Sequence, residues 1–543
     1  MARSGFGVID TALALALVGA APCAMAAEIY PQLVTPGAMR PLATIDERFL
    51  SYNVEMAEVI GGNFWKPYTP ESLAAMQAQA PSQNSMSSSV SADVAGQNAA
   101  MFQARPPIDL SNARLRKLAL TLGPAYMRTS GTWANSVYFH DSDTPPPAKP
   151  PKGFQGVLTR GEWKGVIDFA QAVGAKLVTS FAISAGVRNA DGVWTPDRAR
   201  KFVAYTRSVG GEIAGAEFFN EPDMPVYGGA PTGYSAADYA RDFAIFHRFA
   251  QADAPDMAIV GPGSVGEAVL QPRMSETTTS RFISTNSIFL ASPRPKYAVF
   301  SYHFYGAASI RCASLGGGAQ TTPEAALSEA WLGRVDTSYN FYARGLRDRY
   351  QPGAPVWITE MADAACGGNP WATTILDSFR FLDQLARSAR EVVNVVFHNT
   401  LASSEYGLLD QNTFEPRPNY WAALLWRRLM GSTVLNAGLL QPELHLYAHC
   451  LRGGPGGVTL LAINLSQTES KFIDLPTEAD RYTLSAPRLE DARVQLNGRE
   501  LRLGVNDTLP QLQGARIASG RIELPPATIT FLAVPDAENE SCR

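Results

Sequence analysis

The chain of 543 residues has few of the residues that build metal centres, with five cysteines and six histidines. It lacks a Cys-x-x-Cys pair and the histidines show no ligand spacing, so a structural zinc site is not expected. Lys and Arg (46) nearly balance Asp and Glu (50), and a net charge of −4 favours neither nucleic acid nor an anionic membrane as a partner. No apolar run approaches ~18 residues, so membrane insertion is not expected.

The N-terminus has the pattern of an export signal. Arg3 precedes an apolar run over 11–20, and Ala24-Met25-Ala26 places small residues where signal peptidase cleaves. The pattern predicts a signal peptide over 1–26 and a secreted or periplasmic protein, with a buried N-terminal helix as the alternative. Cys23 would leave with the signal, so four cysteines remain.

Strand-like and helical patterns alternate between residues 49 and 431. The strand-like runs are Phe49–Met56, Ala125–Gly131, Lys176–Ile183, Gly215–Asn220, Met257–Gly261, Tyr297–His303, Pro355–Glu360 and Val392–Asn399. Eight strands alternating with helices predict an α/β fold, a (β/α)₈ TIM barrel. A doubly wound open sheet would alternate similarly, but no Gly-rich phosphate loop follows the first strand.

Two other regions differ in composition from the predicted barrel. Residues 432–543 consist of short β-runs separated by turn residues, which predicts a C-terminal all-β sandwich domain. The segment 27–48 can add a strand to that domain. Residues 72–104 form a low-complexity insertion of Ser, Gln, Ala and Asn, which we expect to bury too little apolar surface to become ordered.

Two predicted barrel strands end in a glutamate. The fourth leads into Asn220-Glu221-Pro222, and the seventh ends Trp-Ile-Thr-Glu360. Active sites of such barrels lie at the C-terminal ends of the strands, and glycosidic bond cleavage needs one protonated and one ionised carboxyl group. A lone glutamate at a strand end is usually a solvated loop residue, but the two motifs together favour a catalytic pair.

The chain resembles glycoside hydrolase family 79, which contains heparanase and β-glucuronidases. The resemblance extends from Phe49 to Met430 and is carried by Asn-Glu-Pro and by Tyr406-Gly-Leu-Leu-Asp410 leading into 418–426. It implies a retaining β-glucuronidase without metal or organic cofactor, which acts on β-glucuronide-containing oligo- or polysaccharides. By position, Glu221 resembles the family's proton donor and Glu360 its nucleophile.

The resemblance also implies a set of substrate-binding residues: Asn220, Glu55, Arg128, His303, Tyr305, Gly367, Gly368 and Tyr406. Asn220 would bind the sugar 2-hydroxyl, and Arg128 would lie against the nucleophile. The backbone N–H groups of the glycine pair, together with Tyr406, would hold the sugar carboxylate. The alternatives are a surface salt bridge for Arg128, packed rim aromatics at 303 and 305, and a flexible Gly-Gly turn.

Departures from the family leave rival functions open. Phe219 stands where the family usually has Gly, and Ala216 where it has Trp, so the pocket walls have changed. One rival is an endo-acting, heparanase-like enzyme on sulfated polymer, with candidate sulfate-binding cations at Lys149, Lys152, Arg160, Lys164 and Arg188. Others are a non-catalytic carbohydrate-binding barrel and a glycosidase for neutral sugars.

The four remaining cysteines fall into two regions. Cys312 follows the sixth strand and Cys366 the seventh, and neighbouring strands place their following loops side by side. Cys450 and Cys542 both lie in the predicted β-domain. We therefore predict disulfides Cys312–Cys366 and Cys450–Cys542, with four unpaired thiols as the alternative.

Overall fold

A computed structural model describes residues 32–78, 101–225, 227–273, 281–315 and 320–543. The predicted signal peptide and the central part of the low-complexity insertion lie outside these residues. Among the helices that are described, none is long and apolar enough to cross a membrane.

Eight parallel strands close into a barrel in chain order, which confirms the predicted fold class. Their bounds are β1 Leu50–Asn53, β2 Tyr126–Thr129, β3 Lys176–Ser180, β4 Ile213–Glu217, β5 Ala258–Val265, β6 Val299–Ala308, β7 Val356–Ala365 and β8 Val395–His398. The strands are buried almost throughout, as expected of a parallel sheet covered by helices. Closure through pairing of β8 with β1 brings all eight C-terminal ends to one face.

Helices cover the outside of the barrel. They span Met56–Ile60, Pro70–Ala78, Ala113–Thr121, Arg160–Ala172, Asp197–Ser208, Ala236–Asp253, Thr285–Leu290, Glu329–Leu332, Arg334–Tyr339, Asp348–Tyr350, Ile375–Arg390 and Pro418–Leu429, with a π-helical stretch at Asn340–Arg347. Local sequence sets their starts. Thr159 and Glu162, for example, form a reciprocal capping box at the start of Arg160–Ala172. Trp163, Val166 and Phe169 then turn the apolar stripe of that helix toward the core.

The C-terminal region is a sandwich of two sheets. The larger contains Pro41–Thr44, Met430–Leu435, Leu444–Leu451, Val458–Asn464, Thr528–Val534, Ala479–Ser485, Gln495–Leu496, Arg499–Glu500 and Ala515–Ile517. The smaller contains Gln32–Leu33, Lys471–Leu475 and Gly520–Leu524. Apolar side chains of both sheets share one buried cluster. The N-terminal segment thus contributes a strand to each sheet.

The β-domain packs against the barrel through the helix Ile375–Arg390. Within that helix the Asp383 carboxylate accepts a hydrogen bond from the hydroxyl of Tyr447 and contacts His445, both at 2.6 Å and both on the strand Leu444–Leu451. Only the last residue of the helix is not fully buried, because sheet and barrel cover it from opposite sides.

The ends of the insertion differ from the sequence-based expectation. Pro70–Ala78 is helical, and Phe102–Arg105 pairs with Gly62–Trp65 in a two-stranded sheet. The average composition of 72–104 does not predict these two elements, because a single aromatic residue, Phe102, makes the contact that orders the second of them. Phe102 is buried and stacks on Trp65 with ring centroids 4.7 Å apart. Residues 79–100 lie outside the described part of the chain.

Candidate active site

Both candidate catalytic glutamates lie at the C-terminal face of the barrel, but not where simple strand ends would place them. Glu360 sits in the middle of β7, where the register against β6 shifts between the pairs Tyr302–Ile358 and His303–Glu360. This bulge leaves one extra residue, Thr359, on β7. Thr359 and Glu360 are both buried and both contact polar groups of the barrel interior.

Glu221 lies four residues beyond the end of β4, in a left-handed backbone conformation with φ of +50°. A non-glycine residue in this region is held there by its surroundings. The Asn135 side chain fixes the backbone of Asn220, the residue before Glu221. Its amide donates to the backbone carbonyl of Asn220 and accepts from the Asn220 N–H, each at 2.9 Å.

Two donors hold the Glu360 carboxylate. Arg128 donates to Oε1 at 2.7 Å, and the Tyr305 hydroxyl donates to Oε2 at 2.6 Å. Burial on its own would raise the pKa of Glu360, but the charges of His303 and Arg128 and the two hydrogen bonds outweigh it and lower the pKa. Glu360 is therefore ionised at neutral pH and held in one orientation.

Glu221 has the opposite electrostatic environment. Burial raises its pKa, a hydrogen bond from His303 opposes the shift, and the charge of Glu360 adds to it, so that the net direction is upward. His303 Nδ1 lies 3.1 Å from Glu221 and 3.6 Å from Glu360. One carboxylate oxygen of each glutamate lies within 4.8 Å of the other. The two carboxyl groups thus share one site but differ in their tendency to hold a proton.

A third buried glutamate, Glu217 at the end of β4, compensates Arg128 from below. It accepts from two nitrogens of that guanidinium, at 2.7 and 3.1 Å, and from the hydroxyls of Ser301 and Thr359. Burial would raise the pKa of Glu217, but Arg128 and His303 outweigh it and the pKa is strongly lowered. Glu217 therefore remains a fixed negative charge that anchors Arg128.

Glu55 and Asn399 form a second polar group in the cavity. The Asn399 amide contacts Oε1 of Glu55 at 3.1 Å, the Tyr305 hydroxyl at 2.8 Å and the Tyr406 hydroxyl at 3.3 Å. Burial, followed by the charges of Glu360 and Glu58, raises the pKa of Glu55 well above its ordinary value. Glycine is required opposite it, because a Cβ on Gly131 would lie 1.9 Å from Oε2 of Glu55.

The Gly367–Gly368 turn is held from behind by Arg311. This buried guanidinium donates to the carbonyls of Cys366 and Gly368, each at 3.2 Å, and pairs with Glu405 at 2.6 Å. A trans peptide directs its N–H away from its C=O, so the N–H of Gly367 faces away from Arg311. Within the described residues, the N–H groups of both glycines donate no hydrogen bond to the protein.

The disulfide Cys312–Cys366 ties the loop after β6 to this turn, and Cys450–Cys542 ties the C-terminus to the β-domain. Both predicted pairings are confirmed. Cys366 is the residue before the glycine pair and itself adopts a positive φ of 63°. The covalent link and Arg311 therefore act on the same short segment.

Apolar side chains form most of the remaining cavity surface. They include Trp65, Phe102, Trp133, Met224, Tyr227 and Leu270. The described residues that line the cavity include no Lys, Arg or His. Glu55, Glu221 and Glu360 are the charged or titratable acids that face it.

Glu221, His303 and Glu360 also have the mutual spacing of a possible metal-ligand set. Their atoms already have partners, since Arg128 and Tyr305 donate to both oxygens of Glu360 and His303 bonds to Glu221. A divalent cation would lie beside the fixed charge of Arg128 and displace these contacts. The donor set therefore fits an acid–base pair better than a metal centre.

The predicted site residues converge on one cavity, in two layers. Glu55, Glu221, Tyr305, Glu360 and Tyr406 line it directly. Behind them, Arg128, Asn220 and His303 are buried and connected through Arg128, which donates to Asn220 Oδ1 at 2.7 Å. The glycine pair packs beside Tyr406 and Trp65, since a Cβ on Gly368 would lie 3.1 Å from the Tyr406 ring.

Sequence reasoning missed five residues of the site: Glu217, Asn399, Arg311, Trp65 and Trp133. Two of them had a usable signal. Glu217 is a charged residue inside a buried strand, and Asn399 is a polar residue at the end of the predicted eighth strand. Arg311, Trp65 and Trp133 lie in the segments that connect barrel strands, and their contacts depend on how these segments fold over the barrel.

Three curated proteins are similar to this chain over most of its length. Heparanase-like protein 1 of Arabidopsis thaliana is 25% identical over 80% of this chain and 86% of its own length. Hyaluronoglucuronidase of Hirudo nipponia is 24% identical over 80% and 92%. Baicalin-beta-D-glucuronidase of Scutellaria baicalensis is 24% identical over 70% of this chain and 66% of its own length.

Solved structures agree on the fold. The GH51 arabinofuranosidase from Xanthomonas axonopodis pv. citri superposes with a TM-score of 0.57 and 14% identity, over 91% of this chain and 98% of that chain. No model of a known protein family matches the chain. Together, the similarity to heparanase-type proteins over 70–80% of this chain and the barrel with its β-domain mean that the chain is a glycoside hydrolase, and that it is similar to the heparanase and β-glucuronidase family, glycoside hydrolase family 79.

Proposed function

We propose that the protein is a retaining β-glucuronidase that removes terminal β-linked glucuronic acid, with Glu360 as nucleophile and Glu221 as acid/base. The observation that carries the proposal is that the pKa values of two adjacent carboxyl groups are shifted in opposite directions. Arg128 and Tyr305 stabilise an ionised Glu360, whereas burial and the neighbouring charge favour a protonated Glu221. This division of roles is what double displacement requires.

The separation of the two groups supports retention of configuration. Retaining enzymes place their carboxyl groups about 5–5.5 Å apart, and inverting enzymes about 6.5–9.5 Å apart to admit a water molecule. The 4.8 Å limit on the nearest oxygens of Glu221 and Glu360 fits the shorter range.

In the first step Glu360 attacks the anomeric carbon, and Glu221 gives its proton to the leaving oxygen. Once Glu360 is esterified, its negative charge no longer raises the pKa of Glu221. The Glu221 carboxylate then accepts a proton from water, which attacks the anomeric carbon and releases the sugar. Arg128, Tyr305 and His303 hold the two carboxyl groups in place throughout.

The glycine turn supports a uronate as the sugar. Arg311 and Glu405 occupy the carbonyl side of the turn, which leaves the N–H groups of Gly367 and Gly368 available to a carboxylate beside Tyr406. Neutral backbone donors of this kind bind anions without a neighbouring cation. A neutral sugar would not use these donors.

Exo action is favoured over heparanase-like endo action by the pairing of the candidate sulfate-binding cations. Arg160 pairs with Asp141 and Asp143, Lys164 with Asp168, and the buried Arg188 with Asp242. Lys149 and Lys152 are the two of the five without a described ion pair. The two disulfides support a location outside the cytosol, as the N-terminal pattern predicts.

The test is a panel of aryl β-glycosides with one common leaving group. We expect hydrolysis of the glucuronide and at most slow hydrolysis of the glucoside and xyloside, with β-glucuronic acid as the first product detected by NMR. Release of α-glucuronic acid first, or preference for a neutral sugar, would refute the proposal. Product sizes from heparan sulfate test the mode of action, since internal cleavage into oligosaccharides would mean endo action.

Variants then assign the roles. Glu360→Gln should lower kcat by several orders of magnitude on every substrate. Glu221→Gln should cost about 10²–10⁴-fold on a poor leaving group but much less on 2,4-dinitrophenyl glucuronide, which needs no proton. Glu391→Gln, a surface glutamate paired with Arg344, is the matched control and should keep wild-type activity.

A further inference from the structure

We propose that the leaving-group side of the cavity binds a flat, uncharged aromatic aglycone rather than a sulfated or hydroxylated sugar. This inference rests on the proposed β-glucuronidase function and specifies its substrate class. It is carried by the chemistry of the cavity wall beside Glu221.

The acid/base residue fixes where the leaving group lies. Glu221 must reach the glycosidic oxygen, so the aglycone occupies the cavity next to it. The loop that continues from Glu221 places Met224 and Tyr227 on the cavity surface, and Leu270, in the loop after β5, joins them. Tyr227 is half-buried and packs edge-on against Phe282, with ring centroids 6.0 Å apart.

A cluster of aromatic rings contributes to the same cavity from the loops after β1 and β2. Trp65 stacks on Phe102, and Trp133 packs edge-on against both, with centroids 6.2 Å from each. Trp65 and Trp133 are half-buried, so their rings retain accessible surface. Offset stacking and edge-to-face contacts with such rings favour a planar aromatic ligand.

Among the described residues that line the cavity, none is a cation that could receive a sulfate. Its described lining contains no Lys, Arg or His, and the sequences of 79–100, 274–280 and 316–319 contain none either. Two buried guanidinium groups beside the site are already paired, Arg128 with two glutamates and Arg311 with Glu405. Arg281 acts electrostatically on Tyr227 but is not part of the described lining. A sulfate in this cavity would therefore lose its hydration without gaining an ion pair.

Sugar hydroxyls would also find few partners. Besides the acids and the tyrosine hydroxyls, the polar side chains of the described lining are Thr132, Gln271 and Asn399. The Gln271 amide already donates to the Val265 carbonyl at 3.1 Å and to Asp223 at 3.3 Å, and the Asn399 amide already donates to Glu55 and to the Tyr305 hydroxyl. A hydroxylated aglycone buried here would leave polar groups unpaired, whereas an aromatic ring would not.

Binding of β-thioglucuronides, which resist hydrolysis, tests the inference without interference from leaving-group reactivity. We compare methyl, phenyl and 2-naphthyl thioglucuronide and a thio-linked glucuronyl-glucosamine 6-sulfate by calorimetry with the wild-type protein. We expect the naphthyl compound to bind at least about tenfold more tightly than the methyl compound, because it removes more apolar surface from water. We expect the sulfated disaccharide to gain no comparable affinity.

Variants locate the effect. Tyr227→Ala and Trp133→Ala should each reduce the ratio of naphthyl to methyl affinity, and Trp133→Phe should restore much of it. Phe472→Ala, in the β-domain, removes a half-buried aromatic outside the cavity and should leave the ratio unchanged. Tyr227→Ala keeps the test decisive if Trp133→Ala fails to fold.

Equal affinity for the methyl and naphthyl compounds, or tighter binding of the sulfated disaccharide, would overturn the inference. Hydrolysis of methyl β-glucuronide is measured in parallel. If methyl glucuronide is hydrolysed but aromatic aglycones gain no affinity, the inference fails and the β-glucuronidase function stands. If no glucuronide is bound or hydrolysed, the function itself is wrong.

Discussion

Arg128 donates a 2.7 Å hydrogen bond to Glu360, and only 1% and 5% of the two side chains are exposed. The same guanidinium pairs with Glu217 at 2.7 Å. One buried cation thus compensates two buried carboxylates, and its removal would leave His303 as the remaining described positive charge beside both. The arrangement orients the candidate nucleophile, but it also makes the centre of the barrel depend on Arg128.

We therefore expect Arg128→Met to lower the free energy of unfolding by about 3–5 kcal/mol, the usual cost of breaking a buried ion pair. Urea denaturation at pH 7 measures this change. The matched control is Arg516→Met, which removes an exposed arginine paired with Glu478 and should change the free energy of unfolding little, because exposed ion pairs are screened by solvent. If Arg128→Met and Arg516→Met had equal free energies of unfolding, the buried carboxylates Glu217 and Glu360 would not depend on the positive charge of Arg128 for stability.

The same variant should show a distinct pH dependence of stability. Burial would raise the pKa of Glu217, but Arg128 outweighs it and lowers the pKa in the folded state. The stabilising contribution of such a group is complete above the pKa of an unfolded glutamate, about 4.3, and is lost as the pH falls through the folded-state pKa. In Arg128→Met the unpaired carboxyls can protonate, so the stability gap to wild type should narrow as the pH is lowered from 7 to 4. A constant gap would contradict this account.

The pH dependence of kcat/KM should be bell-shaped, with both limbs belonging to the coupled pair. The acid limb reflects loss of ionised Glu360, whose pKa is lowered, and the alkaline limb reflects loss of the proton from Glu221, whose pKa is raised. With 2,4-dinitrophenyl glucuronide, Glu221→Gln should abolish the alkaline limb and keep the acid limb. Tyr305→Phe should instead move the acid limb to higher pH, because Glu360 loses one donor. An alkaline limb that survives in Glu221→Gln would assign it to another group.

The disulfide beside the glycine turn should affect substrate affinity as well as stability. We expect Cys312→Ser to raise KM for glucuronides several-fold, because the N–H groups of Gly367 and Gly368 must then be ordered on binding. Cys542→Ser breaks the other disulfide, remote from the cavity, and should leave KM unchanged. Steady-state kinetics of the two variants under the same conditions make the comparison. An unchanged KM in Cys312→Ser would show that the turn does not need the disulfide for its orientation.

The fold and the convergence of Glu221 and Glu360 on one cavity could be predicted from sequence because their signals are local. Strand propensity, helix caps and the Asn220-Glu221-Pro222 motif each occupy a few consecutive residues, and barrel topology converts strand ends into neighbours. The disulfide Cys312–Cys366 followed from the same topology. The low-complexity composition of 72–104 was misleading at its ends, where Phe102 finds its partner Trp65 through strand pairing.

The supporting residues were harder to predict because their contacts span long sequence separations. Asn135 holds Asn220 from 85 residues away, and Asn399 reaches Glu55 across 344 residues. Nothing in the sequence near Trp133 indicates that it packs against Phe102. Such contacts arise only when loops from different strands fold over the same barrel face, so the aromatic lining of the cavity could not be predicted from sequence.

The central claim is that Glu360 forms a covalent bond to the sugar during turnover. Incubation with 2-deoxy-2-fluoro-β-glucuronyl fluoride should trap this intermediate, since the fluorine slows its hydrolysis more than its formation. We predict that intact-protein mass spectrometry detects one added 2-fluoroglucuronyl unit, and that peptide mapping assigns it to Glu360 and to no residue in Glu360→Gln. A label on another residue, or no label in a protein that hydrolyses β-glucuronides with release of the α-anomer, would contradict the account.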